Sequence, residues 1–166
     1  MANEVYVHKG TSKLVNGEAA ADTAWSMEGV ANSAGRVSAQ IDWGAAPRPD
    51  WYSWSCECQW QATPTQGSVL ELYVAGAPDA DNTQVDGDIG TTDAALGDVD
   101  MRRNLKYIGA VVSENAAASE VCVASGRFQF TERYMSIVGY NAGGATLNAT
   151  DSNFRFNIVP MYWKAQ

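Results

Sequence analysis

The chain has 166 residues, of which 46% are hydrophobic and only 18% charged, and the shortfall is made up by Ala, Gly, Ser, Thr and Asn, as in loop-rich β proteins. Its formal net charge is −8, and its densest basic cluster is Arg102-Arg103 with Lys106 nearby. That excludes nucleic acid as a partner, which needs clustered cations to neutralise phosphates, and it disfavours an anionic membrane.

The N-terminal stretch MANEVYVHKGTSK lacks the basic-then-apolar plan of a secretory signal, so the product is expected in the cytosol. No run approaches the roughly 18 to 20 apolar residues of a bilayer span. Residues 1–22 read as an N-terminal arm with a first edge segment, and residues 23–166 as one β-sandwich domain. In TAWSMEGV, Trp25 and Met27 alternate with Ser26 and Glu28. In GRVSAQIDWG, Val37, Ala39, Ile41 and Trp43 alternate with Ser38, Gln40 and Asp42. Such alternation marks a half-buried strand, because successive side chains point to opposite sides.

The cleanest case is WYSWSCECQW, where Tyr52, Trp54, Cys56, Cys58 and Trp60 share a face against Ser53, Ser55, Glu57 and Gln59. GSVLELYVAG follows, with Leu70, Leu72 and Val74 on one side and Glu71 on the other. Next comes a long acidic connection, Gly76 to Asp100, without Lys or Arg; a helical turn or two is expected in it, near Asp93 to Leu96. NLKYIGAVV is apolar on both faces except at Lys106, which predicts a central strand. EVCVASGRFQF, YMSIVGYN and FRFNIVPMYW complete the set. Gly- and Pro-containing turns separate these runs, at Ala31–Gly35, Pro47–Asp50, Thr63–Gly67 and Asn141–Gly144. About eight strands spaced by turns predict an all-β fold, an antiparallel sandwich of jelly-roll type.

Four features of the sequence bear on chemistry. Cys56-x-Cys58 with Cys122 falls short of a zinc site, which takes four ligands in paired spacing. The cysteines also make no disulfide framework, being three in number, and they read as buried filler. Asp79, Asp81, Asp86 and Asp88 offer oxygen ligands for Ca²⁺, but the EF-hand pattern fails at Thr83 and Gln84, so a solvated, mutually repelling loop is expected, with contact to a basic partner surface as the alternative. His8 is the only imidazole, and no G-x-S-x-G surrounds a serine, which speaks against a catalytic triad and for a non-enzyme without cofactor. Of the six tryptophans, Trp25, Trp43, Trp54 and Trp60 fall on core faces, leaving Trp51 and Trp163 free to stack on a glycan or another partner.

In order, VANSAGRVSAQIDWG (Val30–Gly44), ATPTQGSVLELYVAG (Ala62–Gly76), NLKYIGAVV (Asn104–Val112), RYMSIVGYNAGGA (Arg133–Ala145) and FNIVPMYWKAQ (Phe156–Gln166) resemble a group of small virion proteins of tailed bacteriophages. The resemblance spans most of the chain from about Trp25 onward. It implies a jelly-roll capsid decoration, or cement, protein: a homotrimer assembled in host cytoplasm, bound to the major capsid protein on the outer face of the head, with no catalytic residues. The contact regions expected are the arm at Val5, Tyr6, Val7 and His8, the rim at Trp51, and the acidic residues Asp79, Asp81, Asp86 and Asp88. A carbohydrate-binding module, or a virion-surface adhesin, is the alternative.

Overall fold

The computed structural model describes residues 5–16, 21–80, 85–114 and 118–165. Twelve strands run through them: β1 (Val5–Lys9), β2 (Lys13–Asn16), β3 (Thr23–Ala24), β4 (Ala34–Val37), β5 (Ile41–Asp42), β6 (Trp51–Cys58), β7 (Val69–Ala77), β8 (Ala94–Ala95), β9 (Lys106–Val112), β10 (Cys122–Gln129), β11 (Tyr134–Asn141) and β12 (Phe154–Ala165). They form two sheets packed face to face. The front sheet has the order β10-β6-β12-β2-β3, with β1 also on β12; the back sheet has the order β8-β4-β11-β7-β9, with β5 also on β11. All pairings are antiparallel except the short one between β2 and β3. The result is the jelly-roll type of sandwich expected.

Alternation builds the core between the sheets. Tyr52, Trp54, Cys56, Cys58, Phe154, Phe156 and Ile158 from the front sheet meet Leu70, Leu72, Val74, Met135 and Ile137 from the back, all buried. At about 25 cal/mol per Å² of apolar surface, each large side chain so buried stabilises the fold by roughly 1.5–3 kcal/mol. Trp54 lies flat along Phe156, with centroids 6.0 Å apart. Its indole fits because Gly109 and Gly126 flank it: a Cβ on either would sit 2.5 or 2.8 Å from the ring.

The last strand shows how the chain tolerates a proline in a sheet. Pro160 lies in β12 between the stretch paired with β1 and the stretch paired with β2. Its carbonyl accepts from Gly10 N at 2.8 Å. In a strand the N–H and C=O of one residue point the same way, so the missing donor faces the break between β1 and β2, where no ladder bond is lost.

Four expectations need correction. The stretch around Trp25 and Met27 is strand only at β3; both side chains are buried nonetheless. GRVSAQIDWG is split into β4 and β5, because Ser38 turns inward and its hydroxyl accepts from Ile137 N (2.9 Å) while donating to Ala39 O (2.8 Å). No helical turn forms at Asp93 to Leu96; Ala94 and Ala95 are strand β8, paired with Val37 and Arg36. And β9 is an edge strand, not a central one. It is apolar on both faces because it stands at the corner of the sandwich: Val111 enters the core, β10 packs beside it, and Tyr107 lies outside against Tyr73.

The acidic connection is also not a solvated loop in its described part. It carries Val85, Ile89, Ala94 and Leu96, which with Met101 and Leu105 just after it close over Val37, Ala75, Ala77 and Val138 on the outer face of the back sheet to make a second, smaller core. Charged side chains pin it down. Asp86 accepts from Gly76 N (3.0 Å), and Asp93 accepts from Ser26 N (3.1 Å), Ser26 Oγ (2.5 Å) and Arg36 Nε (3.0 Å). Arg102 stacks over Tyr140 at 3.8 Å and pairs with Glu71 at 3.4 Å.

Candidate functional site

With the back sheet covered by this acidic cap, the outer face of the front sheet remains open. There the odd-numbered residues of β6, β10 and β12 point outward, as alternation requires. At one end of that face β1 lies along the tip of β12, so that Val7 is the cross-strand neighbour of Trp163, while Trp51 neighbours Met161. Trp163 is 61% exposed, Val7 46% and Trp51 38%. A recess of about 200 Å³ lies among Val7, Trp51, Arg127, Met161 and Trp163.

A larger recess, about 690 Å³, opens on the other side of the β1–β12 ribbon between His8, Thr11, Tyr162 and the Pro47–Asp50 turn. Tyr52 lies inside the sandwich, and its phenol has no hydrogen-bond partner among the described residues. Burial pushes that phenol well above its ordinary range, and the neighbouring Tyr162 adds to the effect.

Beside the aromatic corner the face becomes polar. Ser53, Ser55, Ser125, Arg127 and Asn157, with Lys9, border a shallow hollow of about 370 Å³. Hydroxyl, amide and guanidinium groups there offer both donors and acceptors next to flat indole surface. Among the described residues no group of three or more His, Cys, Asp or Glu side chains could hold a metal ion.

The structure divides the expected contact residues into two sets. Val5 and Tyr6 are in β1, paired with Ala165 and Lys164, and Val7, His8 and Trp51 lie at the corner that the same strand borders. Asp79, half-buried after β7, and Asp86 and Asp88, in a short 3₁₀ turn, belong to the cap on the opposite side of the sandwich. Asp81 lies outside the described residues. The two sets cannot form one surface. Sequence reasoning missed Met161 and Arg127, although the signal was present: the period of two in β12 continues past Pro160, putting Met161 and Trp163 on the side of Arg155 and Asn157. Trp43 is only partly buried, against Tyr52 at 4.9 Å; the other tryptophans lie as expected.

Fold and site together define a jelly-roll sandwich with one covered face and one open face, with two exposed indoles, Trp51 and Trp163, at one corner of the open face. No protein-family model matches the chain, and no curated protein matches it. Among solved structures it is similar to murine APRIL at pH 8.0, with 10% identity, TM-score 0.41, and 95% of this chain and 99% of that chain covered. Murine APRIL at pH 5.0 gives 10% identity and TM-score 0.40 over 75% of this chain and 72% of that one. The C-terminal domain of EclA, a sugar-binding protein, gives 12% identity and TM-score 0.36 over 99% and 79%. These are distant likenesses of fold, and nothing of what those proteins bind transfers to this chain.

Proposed function

We propose that this chain is a non-enzymatic structural protein of a tailed-phage virion, fastened to the outer surface of the assembled head through the corner formed by Val7, Trp51 and Trp163. The observation that carries the docking surface is that two indoles and a valine are held in the open on paired strands rather than folded into the core. Exposed apolar clusters on a rigid scaffold mark contact sites, and tryptophan is the side chain most enriched among residues that dominate binding energy. The head as partner, and a homotrimer as the bound form, come from the resemblance of the strand-and-turn segments to virion proteins. A lattice multiplies a modest contact, so a small corner suffices.

The test is co-pelleting with undecorated heads. Trp163→Ala and Trp51→Ala should keep the wild-type circular dichroism spectrum and lose about 10- to 100-fold in apparent affinity, as truncation of a dominant interface residue does. Full occupancy by the folded double variant would remove the corner from the interface. Failure of the wild-type protein to pellet with heads would remove the virion role.

A second reading, glycan binding, is favoured by one feature: the serine, asparagine and arginine side chains alongside the indoles. Saturable quenching of tryptophan fluorescence by one sugar, lost in Trp163→Ala, would select it.

A further inference from the structure

All three cysteines are buried and free, Cys56 and Cys58 on β6 and Cys122 on β10. The β6–β10 register sets Cys122 directly opposite Cys58. Beyond the far end of the ladder, Phe130 N donates to Asp50 O at 2.9 Å in the same register. Hydrogen-bonded rungs alternate along an antiparallel ladder, so the rungs of even-numbered residues, Cys58–Cys122 included, are the hydrogen-bonded ones. The Cα atoms of such a rung are about 5.5 Å apart, inside the roughly 4.4–6.8 Å that a disulfide spans. Both side chains point into the sandwich. This rung is also the last of the ladder: β6 stops at Cys58 and β10 starts at Cys122, and just beyond it Ser119 N donates to Trp60 O at 2.9 Å.

Cys56 is placed differently. Its neighbours across the strands are Ala124 and Phe156. Its separation from Cys58 along one strand is about 6.5 Å with parallel Cβ directions, which does not favour closure. Access differs too. Cys122 lines a surface recess of about 270 Å³ with Val112, Glu114, Glu120, Val121 and Val123, whereas Cys58 is fully buried behind it.

We propose that Cys58 and Cys122 are a redox pair that closes into a cross-strand disulfide, fastening the edge strand β10 to β6. With a peroxide as oxidant, the Cys122 sulfur takes one oxygen and becomes a sulfenic acid, releasing one water. The Cys58 sulfur then attacks Cys122 Sγ, the S–O bond breaks, and the hydroxyl leaves with the Cys58 proton as a second water. Overall, two thiols and one hydrogen peroxide give one disulfide and two waters. Burial raises both thiols; Cys122 and Glu57 add to the effect on Cys58, and Glu120 to that on Cys122, against a backbone hydrogen bond from Glu114 that lowers it, so closure is slow. Thiols of this kind stay open in a reducing cytosol, and the pair closes in oxidising surroundings.

The full-length protein is incubated with hydrogen peroxide, blocked with an alkylating agent, and examined by intact mass and by non-reducing peptide mapping. Cleavage after Glu57 separates Cys56 from Cys58. The expected result is a loss of about 2 Da with one thiol left to alkylate, a linked peptide pair containing Cys58 and Cys122, and reversal by dithiothreitol. Cys56→Ser should retain the link, and Cys122→Ser should abolish it. Because the bridge closes a long loop, the oxidised form should melt roughly 5–15 °C higher. Three free thiols after oxidation, oxygen addition at Cys122 without the 2 Da loss, or a Cys56–Cys58 link would each overturn the proposal.

Discussion

Asn141 illustrates how one polar side chain can hold several segments. It is fully buried at the end of β11 and uses its whole hydrogen-bonding capacity. Its Oδ1 accepts from Trp60 Nε1 (3.2 Å) and Gly143 N (3.0 Å), and its Nδ2 donates to Val30 O (3.0 Å) and Ala145 O (2.8 Å). A buried network is worth most when every member is satisfied, and loss of its hub strands the others. Asn141→Ala leaves an indole N–H, a backbone N–H and two carbonyls without that partner, and a destabilisation of roughly 2–4 kcal/mol is expected in urea unfolding. A change below about 1 kcal/mol would mean that water replaces the side chain. In the sequence this residue reads as one letter of a turn, Asn141–Gly144. Its role was hidden because its partners come from Val30 and Trp60, which only the fold brings near. The alternating faces of β6 and β12, by contrast, depend on neighbours two residues apart and were legible at once.

The connection between β7 and β9 is where local reading failed. Its acids are conspicuous, and its apolar residues, Val85, Ile89, Leu96, Met101 and Leu105, are spaced with no period of two or 3.6 that would announce an element. What orders them is a surface made elsewhere: the outward side of β4, β7 and β11, which β11 alone hinted at by being apolar on both faces. Asp93 is the latch, joining the connection to Ser26 and Arg36 across the sheet edge. Removing it unpairs Arg36, which is still 27% exposed and can regain water, so Asp93→Ala should cost about 1–3 kcal/mol rather than the larger penalty of a fully buried pair. The loss belongs to the cap first. Amide hydrogen exchange should rise across residues 85–105 while β6 and β12 keep their protection. Uniform acceleration over the whole chain would show that the second core is part of one cooperative unit with the first.

At the scale of the molecule the two faces have different fates. The back face is closed by its own chain; the front face is left to solvent, with the first and last strands lying side by side at its aromatic corner, Val5 opposite Ala165. The all-β class and the exposure of Trp51 and Trp163 follow from local pattern. The corner itself does not, because it needs Val7 and Trp163, the two ends of the sequence, to become neighbours. The same geometry separates the two sets of residues expected to touch a partner. Val7, Trp51 and Trp163 can engage one flat surface together, whereas His8 faces the other side of the β1–β12 ribbon and the cap lies on the opposite face of the sandwich. A head-bound molecule seated on its front corner should therefore show slowed hydrogen exchange in residues 5–13 and 158–165, with residues 85–105 exchanging as in the free protein. Protection confined to 85–105 would reverse the orientation, making the acidic cap the docking face and the aromatic corner the outward one. Protection of both would require two neighbours on opposite sides, as for a molecule wedged between lattice copies rather than resting on them.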